Sequence, residues 1–241
     1  MNGRVILHLA LFLPLHYNSL SFHSVYRKTL GMKPVWLLSL FVMFSLFFAP
    51  LSLRAGNPLA SFSPAWTNAM YAKANTGANA RYLSAQEKEV LAILNMVRMN
   101  PPLFANTVLK KFPNRSFEMD IAQSAEYNSL MQALLRMKPL PLLQPDSLCW
   151  VSARCHAQST GKAGYVGHDR ISEACNQLMH YSGESCHYGY TEPVDMITSL
   201  LIDKGVPSLG HRNMLLGSYS KLGPAIAPHA TYNTTLVLNF Y

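Results

Sequence analysis

The last twenty residues, LGPAIAPHATYNTTLVLNFY (Leu222–Tyr241), decide how the chain is read. Leu222–Ala227 and Thr235–Tyr241 are short apolar runs separated by a turn-like stretch, and they predict two strands. No convincing strand precedes them. Upstream, Ser84-Ala85-Gln86-Glu87 has the form of a capping box, and Val90, Leu91, Leu94 and Val97 follow at helical spacing. That helix must end before Asn100-Pro101-Pro102, because a residue ahead of proline is pushed out of the α region. Leu103–Phe112, closed by Pro113, and Tyr127–Met137 predict two more helices. After the break at Lys138-Pro139-Leu140-Pro141, Asp146-Ser147 caps another that runs to about Ser159. Beyond Gly161 the texture changes to short pieces rich in Gly, Tyr, His and Cys. Pro193–Ile202 then reads as a helix with proline early, where its missing N–H costs nothing. Helices first and strands last, without βαβ alternation, predict an α+β or layered sandwich domain.

The N-terminus differs in kind. The 241 residues carry 20 Lys+Arg against 12 Asp+Glu, a formal +8, with only 13% charged residues. Five of the basic residues (Arg4, Arg27, Lys28, Lys33, Arg54) and none of the acidic ones lie in the first 55 positions, so the remainder is nearly balanced. Without a Lys/Arg cluster, that remainder lacks the footprint of a nucleic-acid binder. Val35–Leu53 contains no ionisable side chain. Met32-Lys33 before it and Ala55 after it make residues 32–55 a secretory signal peptide, with a retained single-span anchor as the alternative. Residues 1–31, with a second apolar patch at Val5–Leu15, read as an extension from a misassigned start codon. Residues 56–83 mix Ser, Asn, Ala, Gly and Pro and read as a linker, which leaves 84–241 as the domain.

An exported chain with four cysteines forms at most two disulfides. Cys175 and Cys186 bracket a loop-like stretch that a bond between them would staple. Cys149 and Cys155 point to different faces of one helix and do not suit each other; buried free thiols are the alternative for that pair. No CxxC occurs. All six histidines after residue 55 lie between His156 and His229, together with six acidic residues. Imidazole and carboxylate in one region are what a borderline cation such as zinc needs. Three short motifs each set a polar residue after a glycine: Gly167-His168-Asp169-Arg170, Gly183-Glu184-Ser185 and Gly210-His211-Arg212-Asn213.

These motifs stand in order behind Glu89-Val90-Leu91, Asn95-Met96-Val97-Arg98, Lys138-Pro139-Leu140 and His156, and ahead of Leu222-Gly223-Pro224-Ala225. In that order the chain from about 84 to 241 resembles the CAP superfamily, the SCP-like group of cysteine-rich secretory, antigen 5 and pathogenesis-related proteins, in its bacterial secreted form. The resemblance implies a three-layer α-β-α sandwich with a small, largely antiparallel sheet and an open cleft. It further implies a divalent-metal site, often for zinc, to which His168, Glu184 and His211 match by motif. Asp203 stands where many relatives have glutamate, and Ser185 where asparagine is usual. Arg170 and Arg212 either orient cleft groups or are surface charges. His156 matches a common family position, and His229 reads as structural.

The functional expectation is a secreted, non-catalytic module at the cell envelope or outside the cell. Its cleft would recognise a lipid, glycan or peptide, with metal optional and membrane contact only through an uncleaved signal peptide. The alternative is a metal-dependent hydrolase using the same residues. No G-x-S-x-G elbow or catalytic cysteine signature is present to support a nucleophile.

Overall fold

The computed structural model describes residues 56–241. The extension and signal peptide read at 1–31 and 32–55 lie outside the described residues. Among those described, no helix is long and apolar enough to cross a membrane.

Residues 56–83 are not a linker. They contain helix α1 (Asn68–Ala74), capped by Thr67, whose hydroxyl accepts from the Met70 N–H. Leu59, Phe62, Trp66 and Ala74 are buried in the main core. The Trp66 indole N–H also donates to Thr107 at 2.9 Å. Each of the larger side chains contributes roughly 1.5–3 kcal/mol by burial, which outweighs the weak helical pattern of the segment.

Helix α2 (Ala85–Met99) forms where the capping box predicts. Ser84 Oγ accepts from Glu87 N at 3.2 Å, and Glu87 Oε2 accepts from Ser84 N at 2.7 Å. Arg98, near its end, is wholly buried and donates to the carbonyls of Pro141 (2.9 Å), Leu215 (2.8 Å) and Gly217 (3.0 Å). Helix α3 (Pro101–Phe104) starts earlier than predicted, since prolines fit a first turn and Asn100 caps it. A π-helical stretch, Ala105–Leu109, continues its path. Helix α4 (Ala125–Arg136) is capped by Ser124. A two-residue strand β1 (Gln144–Pro145) leads into α5 (Ser147–Ala163), capped by Asp146.

The Gly/Tyr/His/Cys stretch yields α6 (Glu173–Gln177) and a strand without a strong sequence signal, β2 (Gly183–Tyr188). Then follow α7 (Pro193–Ile202), α8 (Gly210–Leu215) and the two predicted strands, β3 (Lys221–His229) and β4 (Asn233–Phe240). The protein is thus α+β, with eight α-helices among the described residues and a four-stranded mixed sheet of order β1-β3-β4-β2. β2 and β3 pair antiparallel with β4, and β1 lies parallel to β3.

The period of two along the strands separates two apolar clusters. Leu222, Leu236, Leu238 and Phe240 join the large core with α2 and α7, whereas Ala225, Ala227, Val237 and Cys186 pack with Ala153 and Ala157 of α5. Helix α5 lies close on the sheet because Gly223 has no side chain: a Cβ there would meet the backbone N of Trp150 at 2.0 Å.

The cysteines pair otherwise than the loop reading suggests. Cys155 of α5 bonds Cys175 of α6, with a Cα separation of 5.4 Å, while Cys149 and Cys186 are buried free thiols. Cys186 lies on a strand face that packs against Ala153 and Ala157 of α5.

Candidate metal centre at the sheet edge

The four predicted residues arrive as two histidine–carboxylate pairs. Strand β2 lies at the sheet edge, and it carries Glu184 toward α5. Glu184 is 5% exposed. Its Oε1 accepts from His168 Nδ1 at 3.0 Å and from Arg170 Nη1 at 3.0 Å, and its Oε2 is held by Arg170 Nη2. Asn239 of β4, its amide oriented by Ser152 and Ala153, adds an N–H to Oε2 at 2.9 Å. Burial opposes ionisation of Glu184, but the bonds from His168 and Arg170 prevail and hold its carboxyl below the usual carboxylate range. The same bond from Glu184 lifts the His168 imidazole above its ordinary value.

Asp203 follows α7 in the left-handed conformation, φ 60° and ψ 40°, which aspartate tolerates better than most residues. That turn directs its carboxylate to the start of α8. Oδ1 accepts from His211 Nδ1 at 2.7 Å, and Oδ2 accepts from the backbone N–H groups of His211 (2.9 Å) and Arg212 (3.3 Å). The shorter acid therefore reaches its histidine. The rings of His168 and His211 stand with centroids 6.5 Å apart. Both Nδ1 atoms face carboxylates, so each carries the proton in the neutral ring. That leaves the Nε2 lone pairs free of hydrogen bonds to any described residue.

Beside this pair lies a cleft of about 210 Å³, lined by Phe112, Phe117, Ile121, His187, Asp203 and His211 among others. His187 is buried, and its Nδ1 has no hydrogen-bond partner among the described residues. Burial, and then the nearby His211, lower its pKa to about 4. Its ring stacks on Tyr190 with centroids 5.5 Å apart, and Tyr190 stacks on the exposed Phe117.

The remaining candidates resolve individually. Arg170 is no surface charge: its side chain is 3% exposed and grips Glu184. Arg212 is buried too and donates to the carbonyls of Leu201 and Ile202 (both 2.7 Å), closing the end of α7. His156 has an acidic neighbour, with Nε2 3.8 Å from Glu184 Oε1, and its hydrogen bond is to the Gly167 carbonyl at 3.0 Å. His229 is structural, accepting from Thr231 N and Tyr232 N in the β3–β4 turn. Ser185 turns to the opposite face, toward Met214. Sequence reasoning missed Arg170 as the partner of Glu184, and it missed Asn239 and His187 altogether. Arg170 was the legible one, two residues after His168 in a chain poor in charge.

Two groups among the described residues bring three ligand atoms of metal-binding type within 4.8 Å of one another, and neither includes His168, Asp203 or His211: they are His156 with Glu184 and Cys186, and Asp146 with Cys149 and His180. The first is a poor receptor, because both Glu184 oxygens are engaged by Arg170. Compared with models of known protein families, with curated proteins and with solved structures, the chain matches none of them.

Proposed function

We propose that the chain is a secreted CAP-superfamily protein, an α-β-α sandwich whose cleft binds a divalent cation and an extracellular ligand without catalysing a reaction. The carrying observation is the facing pair of imidazoles, His168 and His211, each with Nδ1 on a buried carboxylate and Nε2 unengaged. A carboxylate behind a histidine fixes the tautomer and raises the basicity of the other nitrogen, the usual setting of a metal-ligating imidazole. In this reading His168 and His211 hold the zinc through Nε2. Glu184 and Asp203 are positioning acids, not direct ligands, which differs from the four-ligand set that the resemblance implies. Bound zinc would supply a Lewis-acidic centre at the cleft wall, while Phe112, Phe117 and Ile121 offer apolar surface to a lipid or peptide side chain.

The hydrolase reading is disfavoured by the same geometry. A metal-bound water needs a carboxylate or imidazole free to take its proton. Glu184 is committed to Arg170 and His168, and Asp203 to His211 and two backbone amides; the unpartnered imidazole in the cleft, His187, is buried, and burial lowers its pKa to about 4, which makes it a weak base.

Calorimetric titration of zinc into the protein beside a His168→Ala/His211→Ala variant tests the proposal. Loss of one binding event in the variant is expected. Identical isotherms for the two proteins would refute it.

A further inference from the structure

The second cluster lies apart from the cleft and is built differently. Asp146 sits between β1 and α5, Cys149 in the first turn of α5, and His180 in the loop between α6 and β2. Their ligand atoms all lie within 4.8 Å of one another. We propose that Asp146, Cys149 and His180 form a second metal site, selective for a thiophilic divalent cation of the zinc type.

The donor set carries the argument. Thiolate, imidazole and carboxylate together suit zinc or cobalt(II) and not a hard cation such as magnesium, and three protein ligands leave a fourth position for water. Two of the three donors are also held from behind. Asp146 Oδ1 accepts from Leu148 N and Cys149 N, both at 3.0 Å. His180 lies parallel to the Tyr241 ring, with centroids 4.9 Å apart and an 8° interplanar angle. Cys149 is fully buried while Asp146 and His180 are half-buried. Among the described residues the competing cation is Lys221, whose Nζ is 3.1 Å from Asp146 Oδ2 on a side chain 47% exposed.

Cysteine ligates as the thiolate, so formation of the metal–sulfur bond from the thiol releases one proton to solvent. No oxidant or reductant takes part.

This proposal does not rest on the histidine pair, and cobalt(II) titration of the full-length protein tells the two apart. A sulfur-to-cobalt charge-transfer band in the near ultraviolet reports the cysteine ligand, which the His168/His211 site lacks. The expected result is a band that disappears in Cys149→Ser and persists in Cys186→Ser and in His168→Ala/His211→Ala. His180→Ala, in a half-buried loop where folding is not at risk, should weaken binding by at least the ~10–100-fold that loss of an outer-shell partner costs. Lys221→Met should tighten it. No band in the wild-type protein, a band that survives Cys149→Ser, or one that follows Cys186 would overturn the assignment.

Discussion

The two histidine–carboxylate pairs look alike from the imidazole side and differ behind the carboxylate. Glu184 is balanced by a full buried cation, Arg170, delivered on the loop after α5. Asp203 is balanced by two main-chain amides at the start of α8, only eight and nine residues along the chain. One pair depends on long-range assembly, the other on a local turn. Breaking them should therefore cost different amounts.

The largest effect is expected at the first pair. Glu184→Ala strands the Arg170 guanidinium in the interior, and removing one partner of a buried ion pair costs about 3–5 kcal/mol. Adding Arg170→Met to that variant should restore much of the loss, since the unpaired charge goes with it. Urea denaturation of the three proteins measures this. A single variant as stable as wild type would mean that the loop lets Arg170 escape to water.

Next comes the Cys155–Cys175 disulfide, which closes a segment of 20 residues containing His168 and Arg170. Its loss in Cys155→Ser should cost roughly 3 kcal/mol. Zinc affinity should weaken through His168 while amide exchange at His211 and Arg212 stays slow. Equal loosening of both pairs would erase the distinction.

The unequal construction also explains what could be read in advance. The capping box, the proline boundaries and the last two strands are local signals, and α2, α4, α5, α7, β3 and β4 follow them closely. Residues 56–83 escaped because Leu59, Phe62 and Trp66 reach the core from turns with no helical or strand period. β2 escaped because Gly-Glu-Ser-Cys-His-Tyr lacks β-branched residues; pairing with β4 and burial hold it instead. Within the site, a motif resemblance pointed to the four residues, and their grouping into two pairs came only from the fold. Arg170 meets Glu184 across 14 residues, and no periodicity links them. The Cys155–Cys175 bond likewise depends on where α6 docks on α5.

His187 lies near His211, and its neutrality gives a third, pH-dependent test. Its folded pKa, about 4, lies below the ordinary value near 6.5. A histidine depressed in the fold takes up its proton more readily when unfolded, so its contribution is present above about pH 6.5 and fades as the pH falls toward 4. By pH 5 the loss is about 2 kcal/mol. His156, also depressed by burial, acts in the same direction, whereas His168, raised by Glu184, opposes it. His187→Phe should therefore flatten the acid limb of the stability profile without abolishing it. An unchanged limb in thermal denaturation between pH 7 and 5 would show that His187 protonates freely in the folded protein.

The smallest stability change, and the sharpest functional one, is expected from Asp203→Asn. Asparagine still offers one carbonyl oxygen to the amides of His211 and Arg212, so the turn survives with a cost of about 1 kcal/mol. Its NH₂ cannot accept from His211 Nδ1, however, and donates to that nitrogen instead. The ring proton then moves to Nε2, where it occupies the lone pair that a metal would use. Zinc affinity should fall by ~10–100-fold in a protein that unfolds almost like wild type. The same tautomer argument cannot be isolated at Glu184, where substitution also releases Arg170. A pairing built on backbone amides thus separates orientation of the imidazole from stability, and one built on a buried cation does not. If Asp203→Asn instead lowers stability as far as Glu184→Ala while leaving zinc binding intact, Asp203 is a helix-terminal brace and not a positioning acid.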